Sequence, residues 1–358
     1  MKSLWRLPGA ESRHQSNTRF KIFNFQSSIF TFFLLLAFAF FTPAQTPTNQ
    51  DLDVIRTETD LTNLLFTATD KNNRYITTLQ QNDIRVMEDG VPQTLFTFQR
   101  ETDRPLAIAV MIDVSISEQR TLGDEKAAAR TFIENIIRSE KDQVAIIGFE
   151  GYAHLEGPLT RDVLSAYRAL ERVDVADPSY PGSGPVLTGI SSGPGTIRPP
   201  LEGSTAIWDS IALTCRQVLA RSQGQRRRAV ILLTDGHDTS SRLLRSDAID
   251  QAIQTETVVY AIGIGDKRYE GVDKGPLNNI AERTGGRTFF PKKGDDLKVA
   301  FAEIEQELRS QYLVAYSSTN KNRDGSYRKM TIEITNPELR QEQLRLRYRP
   351  GYFAKRSS

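Results

Sequence analysis

The sequence predicts an α/β protein with a doubly wound, mainly parallel sheet, helices on both of its faces, and a smaller β-sandwich-like subdomain made by the flanking segments. Three observations predict this fold. Apolar strands alternate with helical segments between residues 105 and 310. Those strands are continuous apolar runs, which is typical of strands covered by helices on both faces. The flanking segments instead carry short strands with alternating polar and apolar residues, a pattern that indicates antiparallel sheets.

Residues 1–44 have the layout of a secretory signal peptide. Five basic residues precede the apolar run at residues 29–41, which is followed by the sequence TPAQ. The run is short for a bilayer-spanning helix, which needs about 20 residues, so we expect cleavage after Ala44 and no membrane span in the cleaved chain. Retention as an anchor is the alternative. Export would place the protein in the periplasm, the cell envelope or the extracellular space.

The charge balance argues against nucleic acid as a partner. The chain carries 46 Lys and Arg against 44 Asp and Glu, and removal of residues 1–44 would take away five basic residues and one acidic residue. A nearly neutral chain exerts no general attraction on a polyanion. We interpret the basic run Arg226, Arg227 and Arg228 as a solvated loop that discourages edge-to-edge association of the sheet. The only cysteine, Cys215, excludes an intrachain disulfide and is expected in the core.

The segments after the signal follow a simple order. Residues 45–52 are polar and form a predicted linker. Residues 53–104 carry short β-rich runs separated by the turn-like sequences DKNNR and EDGVPQ. Residues 105–310 hold the alternation of strands and helices, and residues 311–358 return to alternating strands. We predict that residues 311–358 pair with residues 53–104 in the smaller subdomain.

The alternating region is predicted in detail from its apolar runs and helical periodicity. The predicted strands are LAIAVMI (106–112), VAIIGF (144–149), AVILLT (229–234), VVYAIGI (258–264) and RTFF (287–290). The predicted helices are 124–137, 161–172, 205–220, 246–254, 276–284 and 295–308. Residues 175–203 are dense in Gly, Pro and Ser and are predicted to form a long loop without regular structure. Trp208 and Tyr260 are expected in the core.

Polar side chains follow the predicted strands at three points. Asp113 comes directly after the strand LAIAVMI, with Ser115 and Ser117 on the turn behind it; Thr205 starts a predicted helix, and Asp235 follows the strand AVILLT. Open α/β sheets bind ligands at the carboxyl ends of their strands. Carboxylate and hydroxyl oxygens suit a hard divalent cation, Mg²⁺ first, with Mn²⁺ or Ca²⁺ as alternatives. The sequence therefore predicts a metal site, although each of the first three residues could instead cap the next helix.

The order of these motifs resembles a known family. The chain carries three motifs in order: a strand followed by DxSxS, GST before a helix, and a strand with LLTDGHD. This order is similar to that of the von Willebrand factor type A domain with its metal-ion-dependent adhesion site, a Rossmann-like fold. The resemblance implies that Asp113, Ser115 and Ser117 supply the first loop of the site, Thr205 the second and Asp235 the third, directly or through water. The flanking segments resemble those of exported A-domain-related proteins of acidobacteria.

The resemblance implies a binding module and no enzymatic activity. A cation held by two carboxylates and three hydroxyls keeps residual charge and an open position, so it can capture an acidic group of a protein or peptide partner. One alternative is an envelope structural or assembly protein in which the metal mainly stabilises the fold. A metal-dependent hydrolase is the other, but a serine nucleophile would need a histidine base, and after residue 44 the chain has only His154 and His237. We expect His237 and Asp238 on a solvent-facing turn. The sequence leaves the oligomeric state open.

Overall fold

The computed structural model describes residues 61–101, 103–175, 184–189, 204–224, 226–265, 271–292 and 294–356. The predicted signal peptide, the predicted linker and most of the predicted loop at 175–203 therefore lie outside the described residues. Among the described residues, no helix is both long enough and apolar enough to cross a membrane.

Strands and helices alternate through the middle of the chain, and strands dominate on both sides. The strands are β1 (Leu61–Thr69), β2 (Ile84–Glu88), β3 (Val91–Pro92), β4 (Leu95–Arg100), β5 (Leu106–Asp113), β6 (Gln143–Phe149), β7 (Ala153–Thr160), β8 (Arg227–Thr234), β9 (Thr257–Gly263), β10 (Thr288–Phe289), β11 (Tyr312–Ser317), β12 (Tyr327–Ile334), β13 (Arg345–Tyr348) and β14 (Gly351–Phe353). The helices are α1 (Leu122–Ile136), α2 (Val163–Arg172), α3 (Ile207–Leu213), α4 (Arg245–Gln254), α5 (Lys274–Thr284), α6 (Gly294–Arg309) and α7 (Pro337–Gln341).

The central sheet has the strand order β10-β9-β8-β5-β6-β7. All neighbouring strands in it are parallel except β6 and β7, which are antiparallel. Every residue of β5 is buried. Its side chains alternate between two cores: Ile108 belongs to one and Met111 to the other. A strand with a core on each side must be apolar throughout, which is why β5 reads as a continuous apolar run.

Helices cover both faces of this sheet. The core that contains Ile108 also contains Phe132 of α1, Leu170 of α2 and Ile304 of α6. The opposite core contains Ile211 of α3, together with residues of α4 and α5. The predicted doubly wound, mainly parallel architecture is therefore confirmed.

The flanking segments form two further four-stranded sheets, ordered β13-β1-β11-β4 and β14-β12-β2-β3. Each sheet combines strands from both sides of the central region: β1 pairs with β11 and β13, and β12 pairs with β2 and β14. A third apolar core joins residues of both sheets, among them Phe66, Val86, Tyr312 and Met330. The antiparallel subdomain is thus present alongside the parallel sheet, and the exact segment boundaries stay predictions.

Several local predictions differ from the structure. Strand β7 was not predicted, because its sequence AHLEGPLT mixes charged and apolar residues, as edge strands commonly do. The helix predicted from Thr205 begins at Ile207, and after Leu213 it continues as a π-helix over Thr214–Leu219. Within the predicted loop, the described residues 184–189 contact β7 through a bridge between His154 and Val186. The expected burial of Trp208, Cys215 and Tyr260 is confirmed.

The interpretation of the basic run as a solvated loop is wrong. Arg227 is only 4% exposed and is the first residue of β8, and Arg228 follows it in the strand. Arg226 and Arg228 are both partly buried. Sequence alone did not reveal this burial, because the residues that cover Arg227, such as Leu308 and Gln311, lie far along the chain.

Candidate metal centre

Asp113 ends the central strand β5 with its side chain fully buried. One carboxylate oxygen, Oδ1, accepts a hydrogen bond from the backbone N–H of Ser115 at 3.0 Å. The other, Oδ2, accepts one from the hydroxyl of Thr234 at 2.6 Å, across the sheet on β8. Burial raises the pKa of Asp113 to about 6, although the hydrogen bonds from Thr234 and Ser115 oppose that rise. The carboxylate is therefore fixed in position but poorly compensated in charge.

The two serines and Asp235 lie within hydrogen-bonding distance of one another. The Oγ atoms of Ser115 and Ser117 are 3.0 Å apart, and the Oγ of Ser117 donates to Oδ2 of Asp235 at 3.0 Å. The other oxygen of Asp235 accepts from the backbone N–H of His237 at 2.9 Å. Two loops that are more than a hundred residues apart in sequence thus bring hydroxyl and carboxylate oxygens together at one edge of the sheet.

Thr205 is buried and is linked to this region through its backbone. Its N–H donates to the hydroxyl of Thr239 at 2.7 Å, and its carbonyl accepts from the N–H groups of Thr239 and Ser240. The next residue, Ala206, donates its N–H to the carbonyl of Glu150, just after β6. The Thr205 segment is therefore held between the carboxyl ends of β6 and β8, beside the loop that carries Asp235.

Asp238 explains why α3 begins two residues later than predicted. Its Oδ1 accepts hydrogen bonds from the backbone N–H of Ile207 at 2.7 Å and from the hydroxyl of Ser241. The carboxylate thus caps the start of the helix from another loop. Asp238 is therefore a half-buried structural residue, and the prediction of a solvent-facing turn residue is wrong for it. The pKa of Asp238 is raised, first by its burial.

The backbone conformation of the Asp235 loop requires a glycine at position 236. Gly236 has φ of +87°, in the left-handed region that favours glycine. A Cβ at this position would also lie 2.6 Å from the carbonyl oxygen of Asp273. The loop returns to the sheet edge there, because the N–H of Asp273 donates to the carbonyl of Asp235 at 2.8 Å. The glycine of the sequence LLTDGHD is thus required by geometry.

Two buried glutamates beside the site were not predicted. Glu118 is fully buried and directly follows Ser117, and Glu125 of α1 is 1% exposed. Oε2 of Glu118 accepts from the hydroxyl of Thr121 at 2.9 Å, but Oε1 of Glu118 and both carboxylate oxygens of Glu125 have no hydrogen-bond partner among the described residues. Burial raises the pKa of both groups, and the negative charge of Asp113 adds to the effect. The burial of these two glutamates could not be predicted from the sequence, since acidic residues near a helix start are usually solvated or stabilised by the helix dipole.

The predicted ligand set is rich in hydroxyls and poor in ionisable ligands. In the part of the chain that the structure describes, no group of three or more His, Cys, Asp or Glu side chains is arranged to hold a metal ion. Asp113 and Asp235 are the carboxylates of the predicted set, so any cation there would depend on the hydroxyls of Ser115, Ser117 and Thr205 as well.

Family comparisons agree with this architecture. Residues 108–237 and residues 195–303 each match the von Willebrand factor type A domain. The chain contains a von Willebrand factor type A domain. The two matches together run from β5 into α6, so this A domain comprises the central sheet and its helices.

The A domain also has structural counterparts of low sequence identity. Proximal thread matrix protein 1 from the mussel byssus is 18% identical, with a TM-score of 0.46 over 62% of this chain and 51% of the mussel chain. A von Willebrand factor type A protein from Catenulispora acidiphila is 13% identical, with a TM-score of 0.46 over 79% of this chain and 76% of the other. BatB from Bacteroides thetaiotaomicron is 20% identical, with a TM-score of 0.40 over 57% of this chain and 99% of its own. The chain thus spans about half the length of the mussel protein. No curated protein matches it in sequence.

The two serines of the first loop, Ser115 and Ser117, contact oxygen atoms. Ser115 and Ser117 contact each other, and Ser117 donates to Asp235. Both ring nitrogens of His154 are buried without a hydrogen-bond partner among the described residues, and Nε2 of His237 contacts the carbonyl of Gly271 at 3.2 Å. The described side-chain contacts of both serines are therefore with other oxygen atoms.

Proposed function

We propose that the A domain is the divalent-metal-dependent binding module of an exported protein, with Asp113, Ser115, Ser117, Thr205 and Asp235 as the metal ligands. The cation would capture an acidic group of a protein or peptide partner. One observation carries the proposal: the oxygens of Ser115, Ser117 and Asp235 follow one another at spacings of 3.0 Å.

Those spacings suit the cation that we propose. Mg²⁺ prefers octahedral coordination at about 2.1 Å, which sets neighbouring ligand oxygens about 3.0 Å apart. The donor set also fits, since carboxylates and hydroxyls are hard oxygen ligands. Mn²⁺ or Ca²⁺ would be accepted by the same donors. A bound cation would in addition offset the negative charge of Asp113, Glu118 and Glu125. Among the described contacts, these buried carboxylates have no positively charged partner.

Two carboxylates and three neutral hydroxyls would leave the ion electrophilic. Such an ion attracts a further carboxylate, and Ser117 is partly exposed, so the site is reachable from solvent. The proposed partner is therefore a protein or peptide that presents Asp or Glu. The proposed location is the periplasm, the cell envelope or the extracellular space, supported by the signal-like residues 1–44.

The variant Asp113→Ala tests the metal site. We expect calorimetric titration with MgCl₂ to show binding to the native chain and none to the variant, because the variant lacks a central ligand. Asp295→Ala is the matched control, since Asp295 is an exposed acidic residue on α6 with a side chain that is 93% exposed. Equal Mg²⁺ binding by Asp113→Ala and the native chain would remove the proposed site.

A capture experiment tests the use of the site. The native chain, immobilised, should retain an envelope protein in Mg²⁺ and release it in chelator, while Asp113→Ala should retain nothing at an unchanged melting temperature. If Asp113→Ala instead loses stability while its folded fraction still captures the same protein, the metal stabilises the fold and the envelope-assembly alternative is favoured. A set of captured proteins unchanged by chelator would contradict metal-dependent binding.

A further inference from the structure

A second site lies at the edge of the central sheet opposite the candidate metal centre. A cleft, partly open to solvent, lies between the amino ends of β8 and β9 and the sheet formed by β13, β1, β11 and β4. Because β8 starts at Arg227 and is followed by Asp235, the strand has this cleft at one end and the proposed metal site at the other.

The cleft has a strong excess of positive charge. Five of its lining residues are arginines, namely Arg104, Arg226, Arg227, Arg347 and Arg349. Its acidic lining residues are Glu256 and Glu307. Glu256 is half exposed and stands 3.8 Å from Arg349, and Glu307 accepts hydrogen bonds from the hydroxyls of Tyr75 and Tyr260. Two carboxylates therefore line the cleft with five guanidinium groups, and a third carboxylate, that of Glu101, is 3.7 Å from Arg104.

Arg227 is a buried positive charge, and such a charge is energetically unfavourable in the folded chain. The side chain is buried, and its described partners are neutral oxygens: the carbonyls of Leu308 and Arg104 and the side-chain amide of Gln311. Its Nε has no hydrogen-bond partner among the described residues. Burial lowers the pKa of Arg227 to about 10, so the group still carries its charge at neutral pH. The negative charge of Glu101 favours the charged guanidinium, but no described hydrogen bond joins the two side chains. An anion that accepts a hydrogen bond from Nε would therefore stabilise the buried cation further.

A second arginine also has an Nε without a described hydrogen bond. Nε of Arg349 lacks a partner among the described residues, while its Nη2 donates to the carbonyl of Asn63 at 2.6 Å. Nη1 of Arg347, on β13, donates to the carbonyl of Gly286 at 3.5 Å, a long and weak hydrogen bond. A guanidinium group can donate two parallel hydrogen bonds to the oxygens of one phosphate or carboxylate. These arginines are therefore suited to bind an anionic ligand of either kind.

The cleft also has an apolar wall, to which Leu65, Val258 and Leu313 contribute. We propose that the cleft binds a small organic anion, with a phosphate or carboxylate head against the arginines and an apolar body against this wall. The site does not depend on the proposed metal centre, because no residue of that centre lines it.

Titration calorimetry on the full chain tests the proposal with two probes, inorganic phosphate and phenyl phosphate, in chelator and at matched ionic strength. We expect both to bind, and phenyl phosphate to bind more tightly because its ring can contact the apolar wall. Arg347→Gln and Arg349→Gln should each weaken binding about tenfold or more, since each removes charge-assisted hydrogen bonds. Arg345→Gln is the matched control, because Arg345 is an exposed arginine on the same strand β13 and does not line the cleft.

The outcomes are distinct. Binding that is weakened in Arg347→Gln or Arg349→Gln but kept in Arg345→Gln and in Asp113→Ala supports an anion site separate from the metal centre. Absence of heat with both probes would overturn the proposal, as would equal affinity in all the arginine variants. Chelator is present throughout, so failure of the proposed metal site cannot produce either result.

Discussion

At the scale of single residues, the A domain holds three buried carboxylates close to the proposed metal site. Asp113, Glu118 and Glu125 are fully or almost fully buried, and the pKa of each is raised by that burial. Glu125 has no hydrogen bond to either carboxylate oxygen among the described residues. Ionised carboxylates in this setting destabilise the folded chain unless a proton or a cation neutralises them.

We therefore expect Glu125→Gln to stabilise the metal-free protein. The amide has nearly the same shape, carries no charge and can donate to Oε1 of Glu118, which lacks a partner among the described contacts. The free energy of unfolding in chelator at neutral pH should rise by about 1–2 kcal/mol. Urea unfolding would measure this, with Glu134→Gln as the control because Glu134 is exposed on the same helix. An unchanged or lower stability would show that the native carboxylate is already neutralised by other means.

The same variant should change the pH dependence of stability. In the unfolded state, Glu125 releases its proton as the pH rises above its ordinary pKa of 4.5. In the folded state its pKa is raised, so the proton stays bound at higher pH. Stability must then fall as pH rises above 4.5, towards the raised pKa. Urea unfolding at a series of pH values from about 5 to 7 should show a shallower fall for Glu125→Gln than for the native chain. Parallel curves would contradict the raised pKa.

At the scale of secondary-structure elements, a buried ion pair lies within the β subdomain. Glu88 at the end of β2 accepts from Arg328 of β12 at 3.2 Å, and both side chains are less than 5% exposed. Its carboxylate also accepts from the hydroxyls of Tyr316 on β11 and Tyr352 on β14. One carboxylate thus connects strands of both four-stranded sheets.

Glu88→Gln should destabilise the fold strongly. The amide group cannot accept on its nitrogen, so at least one hydroxyl loses its acceptor and Arg328 stays buried without a counter-charge. Removing one partner of a buried ion pair typically costs about 3 kcal/mol or more. Glu333→Gln on β12 is the control, since Glu333 is exposed, and it should be nearly neutral. Chemical denaturation of the two variants would show similar stabilities if the Glu88 network contributed little.

Most elements could be predicted from the sequence, because their burial pattern is local. Strand β5 is covered on both faces and is therefore continuously apolar, whereas β12 alternates because one of its faces is more exposed. The proximity of Asp113, Ser115 and Ser117 could also be predicted, because the three residues share one short loop. Features that depend on distant residues could not be predicted: Asp238 sets the start of α3, and Leu308 and Gln311 cover Arg227.

At the scale of the whole molecule, the two flanking segments are interdependent. Strand β1 lies between β11 and β13, β4 pairs with β11, and β2 pairs with β12. Without the carboxyl-terminal strands, the first segment would retain the short pairing of β2 with β3. An isolated two-stranded hairpin is marginally stable at best in water. The cleft beside Arg227 would also lose the wall to which Leu313 and Arg347 contribute.

A chain that ends at residue 310 should therefore keep the A domain but lose the subdomain. We expect trypsin to cleave rapidly at Arg74 and Arg85 in this variant and slowly in the full chain, because exposed, unpaired strands are good protease substrates. Mg²⁺ binding at the proposed metal centre should persist, while phosphate binding in the cleft should disappear. Adding a peptide of residues 311–356 should restore protection, since it supplies the missing neighbours of β1 and β2. If residues 61–100 stay protected without it, the first segment folds independently and the shared-sheet account of its stability is wrong.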